Sequence, residues 1–266
     1  MPASEAQAFY EREASGRFLP TAFTRGPWDA DAQHAGPPAA LLGLAVEQRP
    51  GGRPDLRVAR ITYEIMRPVP LRPLTATTRV LREGRSVELV EVGLTPDGGA
   101  EVMRATALLI KTAADSVPQV SQGPQVPGPE TAPAKAFFPV PWEQGYHTAM
   151  DVRFAAGSFL EPGPATAWMR MRIPLVAGEE TTPLSRVLTA ADSGNGVSAE
   201  LDYHRYVFIN PDLTVNLMRH PEGEWVCLDA RTVVNGTGIG LAESGLHDEK
   251  GPLGRSTQSL YVTARG

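Results

Sequence analysis

Along residues 183–191, PLSRVLTAA, apolar positions recur at i, i+3, i+4 and i+7 through Leu184, Val187, Leu188 and Ala191. That spacing predicts a short helix with one buried stripe, for which Thr182 suits the cap and Pro183 the first helical position. Residues 37–46 follow a different pattern. From Ala39 to Val46 the run is apolar on every side, so this helix is expected to be buried all round. After each helix the pattern changes to alternating or continuous apolar runs. RITYEIMRPVPLRPLTATTRVL, VELVEVGLT and EVMRATALLIKT follow the first helix. LDYHRYVFINPDLTVNLMRH, GEWVCLDARTVV, GLAESGLHDE and RSTQSLYVTAR follow the second. Each set reads as about four strands.

One order of features therefore occurs twice, as in a duplicated unit. Pro38 aligns with Pro183, PLT at 73–75 with DLT at 212–214, and Arg104 with Arg255. Between the halves, residues 116–141 hold seven prolines and almost no periodic apolar pattern, which predicts a linker. The expected units are 1–115, the linker 116–141, and 142–266. A helix that is apolar on all sides needs strands around it. The fold class expected is α+β, a tandem hotdog, in which antiparallel sheets each wrap a central helix near a pseudo-twofold axis.

Composition narrows the function. The chain has 266 residues, 42% of them hydrophobic, enough for a sizeable core, and its 25 prolines and 26 glycines favour turns and short strands. A formal net charge of −5 without a dense Lys/Arg run argues against nucleic acid and anionic membrane as partners. Cys227 is the only cysteine, so an intrachain disulfide and a Cys-rich metal site are excluded. The N-terminal MPASEAQAFYERE lacks the basic and apolar regions of a secretory signal, and the apolar run near 37–46 is too short to span a bilayer. A cytoplasmic location is expected. The histidines 34, 147, 204, 220 and 247 are scattered without metal-ligand spacing, so no metal and no cofactor is expected. NGTGIGLAESG resembles a dinucleotide motif, but Leu241 stands where its third glycine belongs and no crossover helix follows. A hairpin turn at Asn235-Gly236 fits better.

Four features can carry chemistry. Asp192 follows the second helix at the edge of its buried stripe, where both burial and the helix dipole oppose a negative charge. It reads either as a turn residue in DSGNG facing water or as a functional carboxylate, and Glu47 occupies the matching place in the first half. Gln258 shares a strand face with Ser256, Leu260 and Val262, where the first half carries Ala105, Ala107 and Leu109. It either bonds a backbone group or holds a water beside Asp192. In DAQHAGPPAALL, Gly36 is a candidate N-cap, and the amides near it could meet a carbonyl oxygen, since Pro37 and Pro38 supply none. The alternative is a rigid helix start with a surface His34. In INPDLTVNLMRHPEGEW, Asn210, Arg219, His220 and Trp225 are either ligand contacts or turn, edge and rim residues.

PLSRVLTAADSGNG, FINPDLTVNLMRHPEGEW and GRSTQSL together resemble the second half of acyl-CoA thioesterases of the thioesterase II type, and HAGPPAALL resembles the start of the first hotdog helix in thioesterase-like proteins. The resemblance covers nearly the whole chain outside the linker. It implies that an aspartate near the helix end, a hydroxyl residue on the next strand and a glutamine on the last strand position a hydrolytic water. Asp192 and Gln258 match the first and third positions. At the hydroxyl position the sequence departs from the pattern: Glu200 or Leu201 aligns there, and Ser198 is the nearest hydroxyl. The implied function is hydrolysis of acyl-CoA to free acid and CoA through a water activated by Asp192. His34, Gly36, Asn210 and Arg219 are the candidate substrate contacts. Gly36 would pair with Asp192, and Thr181–Thr182 with Glu47, with one competent site per chain. The alternative is a double-hotdog protein that binds acyl-CoA or lipid without turnover. Hotdog sheets commonly associate edge to edge or face to face, which leaves a homo-oligomer open.

Overall fold

The computed structural model describes residues 7–113, 117–118, 123–135, 137 and 139–265. Both expected helices form. The first is α1 (Gly36–Glu47); the short α2 (Tyr146–Ala149) precedes the second, α3 (Pro183–Ala191), and α4 (Gly194–Val197) follows it. In α1 every residue is buried except Ala45 and Glu47, as a run apolar on all sides requires. In α3 Leu184, Val187, Leu188 and Ala191 are buried together with Ser185, Thr189 and Ala190. Thr182 Oγ1 accepts the Ser185 N–H at 3.1 Å and so caps α3. The start of α1 corrects an expectation. Ala35 holds the N-cap position and Gly36 is the first helical residue. A glycine is needed there because a Cβ would lie 2.3 Å from the Thr189 carbonyl oxygen of α3.

The strands are β1 (Tyr10–Arg12), β2 (Phe18–Pro20), β3 (Leu56–Ile65), β4 (Leu74–Arg82), β5 (Val87–Pro96), β6 (Met103–Lys111), β7 (Met150–Ser158), β8 (Glu161–Met171), β9 (Tyr206–Ile209), β10 (Asp212–Leu217), β11 (Val226–Val234), β12 (Ile239–Asp248) and β13 (Gly251–Ala264). They form one antiparallel sheet in the order β1-β2-β4-β5-β6-β3-β10-β13-β12-β11-β8-β7, with β9 beside β13. The order reads alike outward from the β3–β10 pair. Thr62 faces Thr214 there, with their Oγ1 atoms 3.2 Å apart. Thr62 opposes Thr106 in β6, and Thr214 opposes Thr257 in β13. One residue further along, Ala107 and Gln258 hold equivalent places. This register agrees with the Arg104–Arg255 alignment and overturns the PLT–DLT one, because residues 73–75 lie at the start of β4 whereas 212–214 lie in β10.

On the concave side α1 packs against β4 and β5, α3 against β8 and β11, and the two helices pack against each other. Leu41, Leu42, Val187 and Leu188 join Ile61, Val92, Leu213 and Val215 in one buried core, each side chain contributing about 1.5–3 kcal/mol of burial free energy. The approach of the helices is close enough that a Cβ on Gly43 would meet Leu188 Cδ1 at 2.2 Å.

The Pro-rich stretch 116–141 falls partly outside the described residues, at 116, 119–122, 136 and 138. Its described part forms neither helix nor strand, yet it is docked. Trp168 Nε1 donates to Pro127 O at 2.7 Å, an Arg153 guanidinium nitrogen to Pro129 O at 2.9 Å, and Val126 and Ala132 pack with Trp168, Trp225 and Cys227. This cover buries Trp168 on one face of β8, while Ala167 and Met169 are buried on the other. The NGTG stretch is a hairpin turn between β11 and β12, where Asn235 Oδ1 accepts the Thr237 N–H at 3.0 Å and Gly238 takes φ +88. Among the described residues no helix is long and apolar enough to cross a membrane.

Candidate active site

Asp192 is the C-cap of α3 and is 8% exposed. The end of a helix leaves carbonyls without intrahelical donors, and β13 supplies one. Gln258 Nε2 donates to the Asp192 backbone O at 3.0 Å and lies 3.2 Å from Asp192 Oδ1. Its Oε1 accepts the Asn195 N–H at 3.1 Å, so both ends of this buried amide are satisfied. Gln258 thus bonds backbone groups, as one of its two readings expects, and also turns toward the carboxylate. Asn210, in the turn between β9 and β10, donates through Nδ2 to Asp192 Oδ1 at 2.7 Å. One carboxylate oxygen is therefore held by two amides.

The other oxygen, Oδ2, lies 3.1 Å from His34 Nδ1. His34 is not a surface residue: its side chain is 15% exposed and its ring stacks on Tyr146, centroids 3.7 Å apart and 8° from parallel. The Tyr146 hydroxyl donates to Thr189 O at 2.8 Å and lies 3.0 Å from Ser193 Oγ. Burial lowers the His34 pKa below its ordinary 6.5, against the opposing pull of the Asp192 charge. Burial raises the Tyr146 hydroxyl, which stays neutral. The Gly36 N–H, expected to await a carbonyl oxygen, donates instead to His34 Nδ1 at 3.1 Å.

Beside Asp192 opens a cavity of about 470 Å³. Met66, Phe137, Phe159 and Phe208 give it apolar walls, and His34, Asp192 and Asn210 form its polar end. Phe137 belongs to the Pro-rich stretch, whose docking thus shapes the site. Tyr146 and Asn195 had no signal in the sequence. Both line the cavity, and Asn195 Oδ1 is buried with no partner among the described residues.

Two candidates lie elsewhere. Ser198 Oγ donates to Gly194 O at 2.9 Å and sits 2.9 Å from Thr232 Oγ1, which ties α4 to β11 rather than reaching the carboxylate. The place expected of a hydroxyl beside Asp192 is taken by the Asn210 amide. Arg219 forms a two-pronged pair with Asp248 at 2.7 and 2.5 Å and donates to the carbonyls of Pro252 and Gly251. It borders, with His220, a second cavity of about 410 Å³ at the end of α1. Trp225 packs on the outer cluster, between the guanidinium groups of Arg153 and Arg170 at 4.8 and 4.9 Å.

The second cavity contains Glu47, whose Oε2 accepts a bond from Thr182 Oγ1 at 2.7 Å. Burial raises the Glu47 carboxyl above its ordinary 4.5, against the Thr182 bond and the charge of Arg57. Where the Asp192 site has Gln258, this side has Ala107. Val58 stands four residues before Thr62 as Asn210 stands four before Thr214. A carboxylate held by two amides at the end of an apolar cavity is suited to bind and deprotonate a water.

Two family models match the chain. One described as an acyl-CoA thioesterase N-terminal domain covers residues 24–110, and one described as an acyl-CoA thioesterase C-terminal domain covers residues 124–262. No curated protein matches it significantly. Among solved structures it is similar to an acyl-CoA thioesterase II, TesB2, from Mycobacterium marinum, with 17% identity, a TM-score of 0.66, and 96% of this chain and 95% of that chain covered. It is also similar to a conserved protein of unknown function with a hot dog fold from Alicyclobacillus acidocaldarius, at 18% identity and a TM-score of 0.71 over 94% of this chain and 93% of that one. These likenesses establish the hot dog fold.

Proposed function

The chain is a member of the acyl-CoA thioesterase family, and from that premise we propose that it hydrolyses an acyl-CoA thioester through a water held by Asp192, whose carboxylate Asn210 and Gln258 position. The observation that carries this reading is the Asp192 carboxylate, 8% exposed, with both amides on Oδ1 at the polar end of an apolar cavity. Removing a carboxylate from water is costly unless it is hydrogen-bonded, and a helix C-terminus adds to that cost. A site that must take a proton from water gives that placement a use. The acyl chain would lie along Phe159 and Phe208, with the thioester carbonyl turned toward Asp192.

The same reading assigns the architecture to two hotdog repeats, 1–115 and 142–266, joined by the 116–141 stretch. The mirrored strand order about β3–β10 supports it. One repeat then supplies Asp192, Asn210 and Gln258, and the other supplies His34 and Gly36.

The test is thiol release from a panel of acyl-CoAs of graded chain length, by the parent and by Asp192→Asn. The variant keeps shape and hydrogen-bonding reach but cannot accept a proton. General-base catalysis contributes about 10²–10⁴-fold, so kcat should fall by that order while KM changes little. A parent that binds acyl-CoA without releasing thiol would contradict the reading in favour of a non-catalytic binder. A variant as active as the parent would contradict the role of Asp192.

A further inference from the structure

His34 Nδ1 lies 3.1 Å from Asp192 Oδ2 and also 3.1 Å from the Gly36 amide nitrogen. A ring nitrogen carries either a lone pair or a proton. The Gly36 N–H can only donate and Asp192 Oδ2 can only accept, so the two compete for Nδ1, and the tautomer with the lone pair on Nδ1 and the proton on Nε2 is the one that serves Gly36. In the familiar carboxylate–histidine pair the imidazole donates to the acid and is oriented by it. In the tautomer that serves Gly36 the direction is reversed. A lone pair opposite a carboxylate oxygen is unfavourable until a proton lies between them, and deprotonation of a water supplies one.

The fold holds the ring in this attitude from several sides. Tyr146 stacks on it and is tied through its hydroxyl to Thr189 O in the last turn before Asp192. The same carbonyl lies where a Cβ of Gly36 would be, 2.3 Å away, so the start of α1 and the end of α3 are locked together. His34, Gly36 and Asp192 are therefore fixed relative to one another by contacts that involve no substrate.

Resting on the hydrolytic reading above, we propose that His34 accepts at Nδ1 the proton that Asp192 takes from the water and passes a proton on to the departing thiolate. As the water oxygen bonds to the carbonyl carbon, its proton goes to Asp192 Oδ2 and the carbonyl electron pair becomes an oxyanion. Transfer of that proton to Nδ1 breaks the bond from Gly36 and leaves its N–H free to donate to the oxyanion. Collapse restores the carbonyl and breaks the carbon–sulfur bond. The sulfur takes the proton from Nδ1, which returns the ring to its resting neutral form with Nε2 protonated. One thioester and one water give one acid and one thiol.

The charge environment agrees with an acceptor role. The groups facing the ring are Asp192 from α3 and the neutral Tyr146 from α2, with Asp29 and Arg67 around the same cavity. Because burial keeps the ring pKa below its ordinary 6.5, the imidazole is neutral at neutral pH, and the Gly36 N–H calls for Nδ1 as its acceptor. In that tautomer Nδ1 becomes occupied only as the pH falls through that lowered value, and kcat should fall there too.

Two substitutions in the full-length chain test the relay. His34→Asn keeps an acceptor for the Gly36 N–H but cannot take a proton. His34→Ala leaves a space on the face of Tyr146 that free imidazole fits. With an acyl-CoA that the parent turns over, kcat should fall by about 10²-fold in both variants while KM stays within about twofold. The acid limb of the kcat profile should vanish in His34→Asn, and added imidazole should restore His34→Ala by about tenfold or more in a saturable way. Parental kcat and an unchanged pH profile in His34→Asn would overturn the relay. So would a loss in His34→Ala that imidazole leaves untouched and that follows a lowered Tm. If His34→Ala is too unstable to assay, His34→Asn decides alone. A parent without activity, or an Asp192→Asn variant with full activity, would defeat the hydrolytic reading itself. An active parent with inactive Asp192→Asn and unaffected His34→Asn would defeat the relay only.

Discussion

Each of the two central helices ends at a carboxylate beside a cavity, Glu47 as the last residue of α1 and Asp192 just after α3, and the strand order is mirrored about β3–β10. What differs is the company each acid keeps. Asp192 has Asn210 and Gln258 on one oxygen and His34 near the other. Glu47 has the Thr182 hydroxyl, Ala107 holds the ladder place of Gln258, and Val58 corresponds to Asn210 by residue count. The Thr182 hydroxyl also caps α3, so it is already committed to structure. Under the proposed reading a carboxylate at the end of a helix is insufficient by itself: amides from the neighbouring strands position it, and among the described residues only the Asp192 side has them.

The largest effect short of removing the carboxylate is expected at Gln258. Gln258→Ala copies the first-half residue Ala107 and removes the donor to the Asp192 carbonyl and carboxylate, and the acceptor for the Asn195 N–H. We expect kcat to fall by about 10²-fold, and thermal denaturation to report a loss of about 1–3 kcal/mol from the unpaired groups. Ala107→Gln on the other side should leave kcat at the parental value. Equal effects of the two substitutions would erase the distinction between the sites.

Asn210→Val copies Val58 and should act less strongly. A hydrogen bond to a charged group is worth about 1.5–3 kcal/mol, so steady-state kinetics should show kcat down by about tenfold or somewhat more, with little change in KM. Undiminished activity would remove Asn210 from the groups that position the carboxylate.

Arg219, near the Glu47 cavity, should matter to stability and not to turnover. Burial raises the Asp248 carboxyl, but the Arg219 guanidinium and the N–H groups of Glu222 and Lys250 outweigh it and hold the group below its ordinary 3.8. A carboxyl depressed in the folded state contributes stability above its unfolded pKa, and that contribution is lost as pH falls through the folded value. Arg219→Met should cost roughly 2 kcal/mol at pH 7, less than at a fully enclosed pair because the guanidinium is partly exposed. The difference from the parent should shrink toward pH 3, followed by denaturant unfolding across that range, with kcat and KM unchanged. A raised KM for acyl-CoA would restore Arg219 as a substrate contact.

The same contrast explains what could be read from the chain. The helices were legible because periodicity, capping Thr182 and the prolines all agree, and Gln258 stood out as an amide on an apolar strand face. Strands β7 and β8 were not legible. Trp168 is buried under the Pro-rich stretch while its neighbours face the core, so alternation fails where a surface segment covers the outer face. The sequence assigns Asn210 to the substrate contacts and offers Ser198 as the nearest hydroxyl beside Asp192. The choice between them rests on the turn after β9, which swings Asn210 toward Asp192, and no local spacing records that. Tyr146 lies far from Asp192 in sequence and meets it through the Thr189 carbonyl, the Ser193 hydroxyl and the His34 ring.

The most direct test of one working site in this mirrored frame is to measure initial rates of thiol release for Asp192→Asn and Glu47→Gln beside the parent, on the same acyl-CoA. The account predicts a loss of about 10²–10⁴-fold for Asp192→Asn and a rate for Glu47→Gln indistinguishable from the parent. Comparable losses in both variants, or a loss confined to Glu47→Gln, would contradict it.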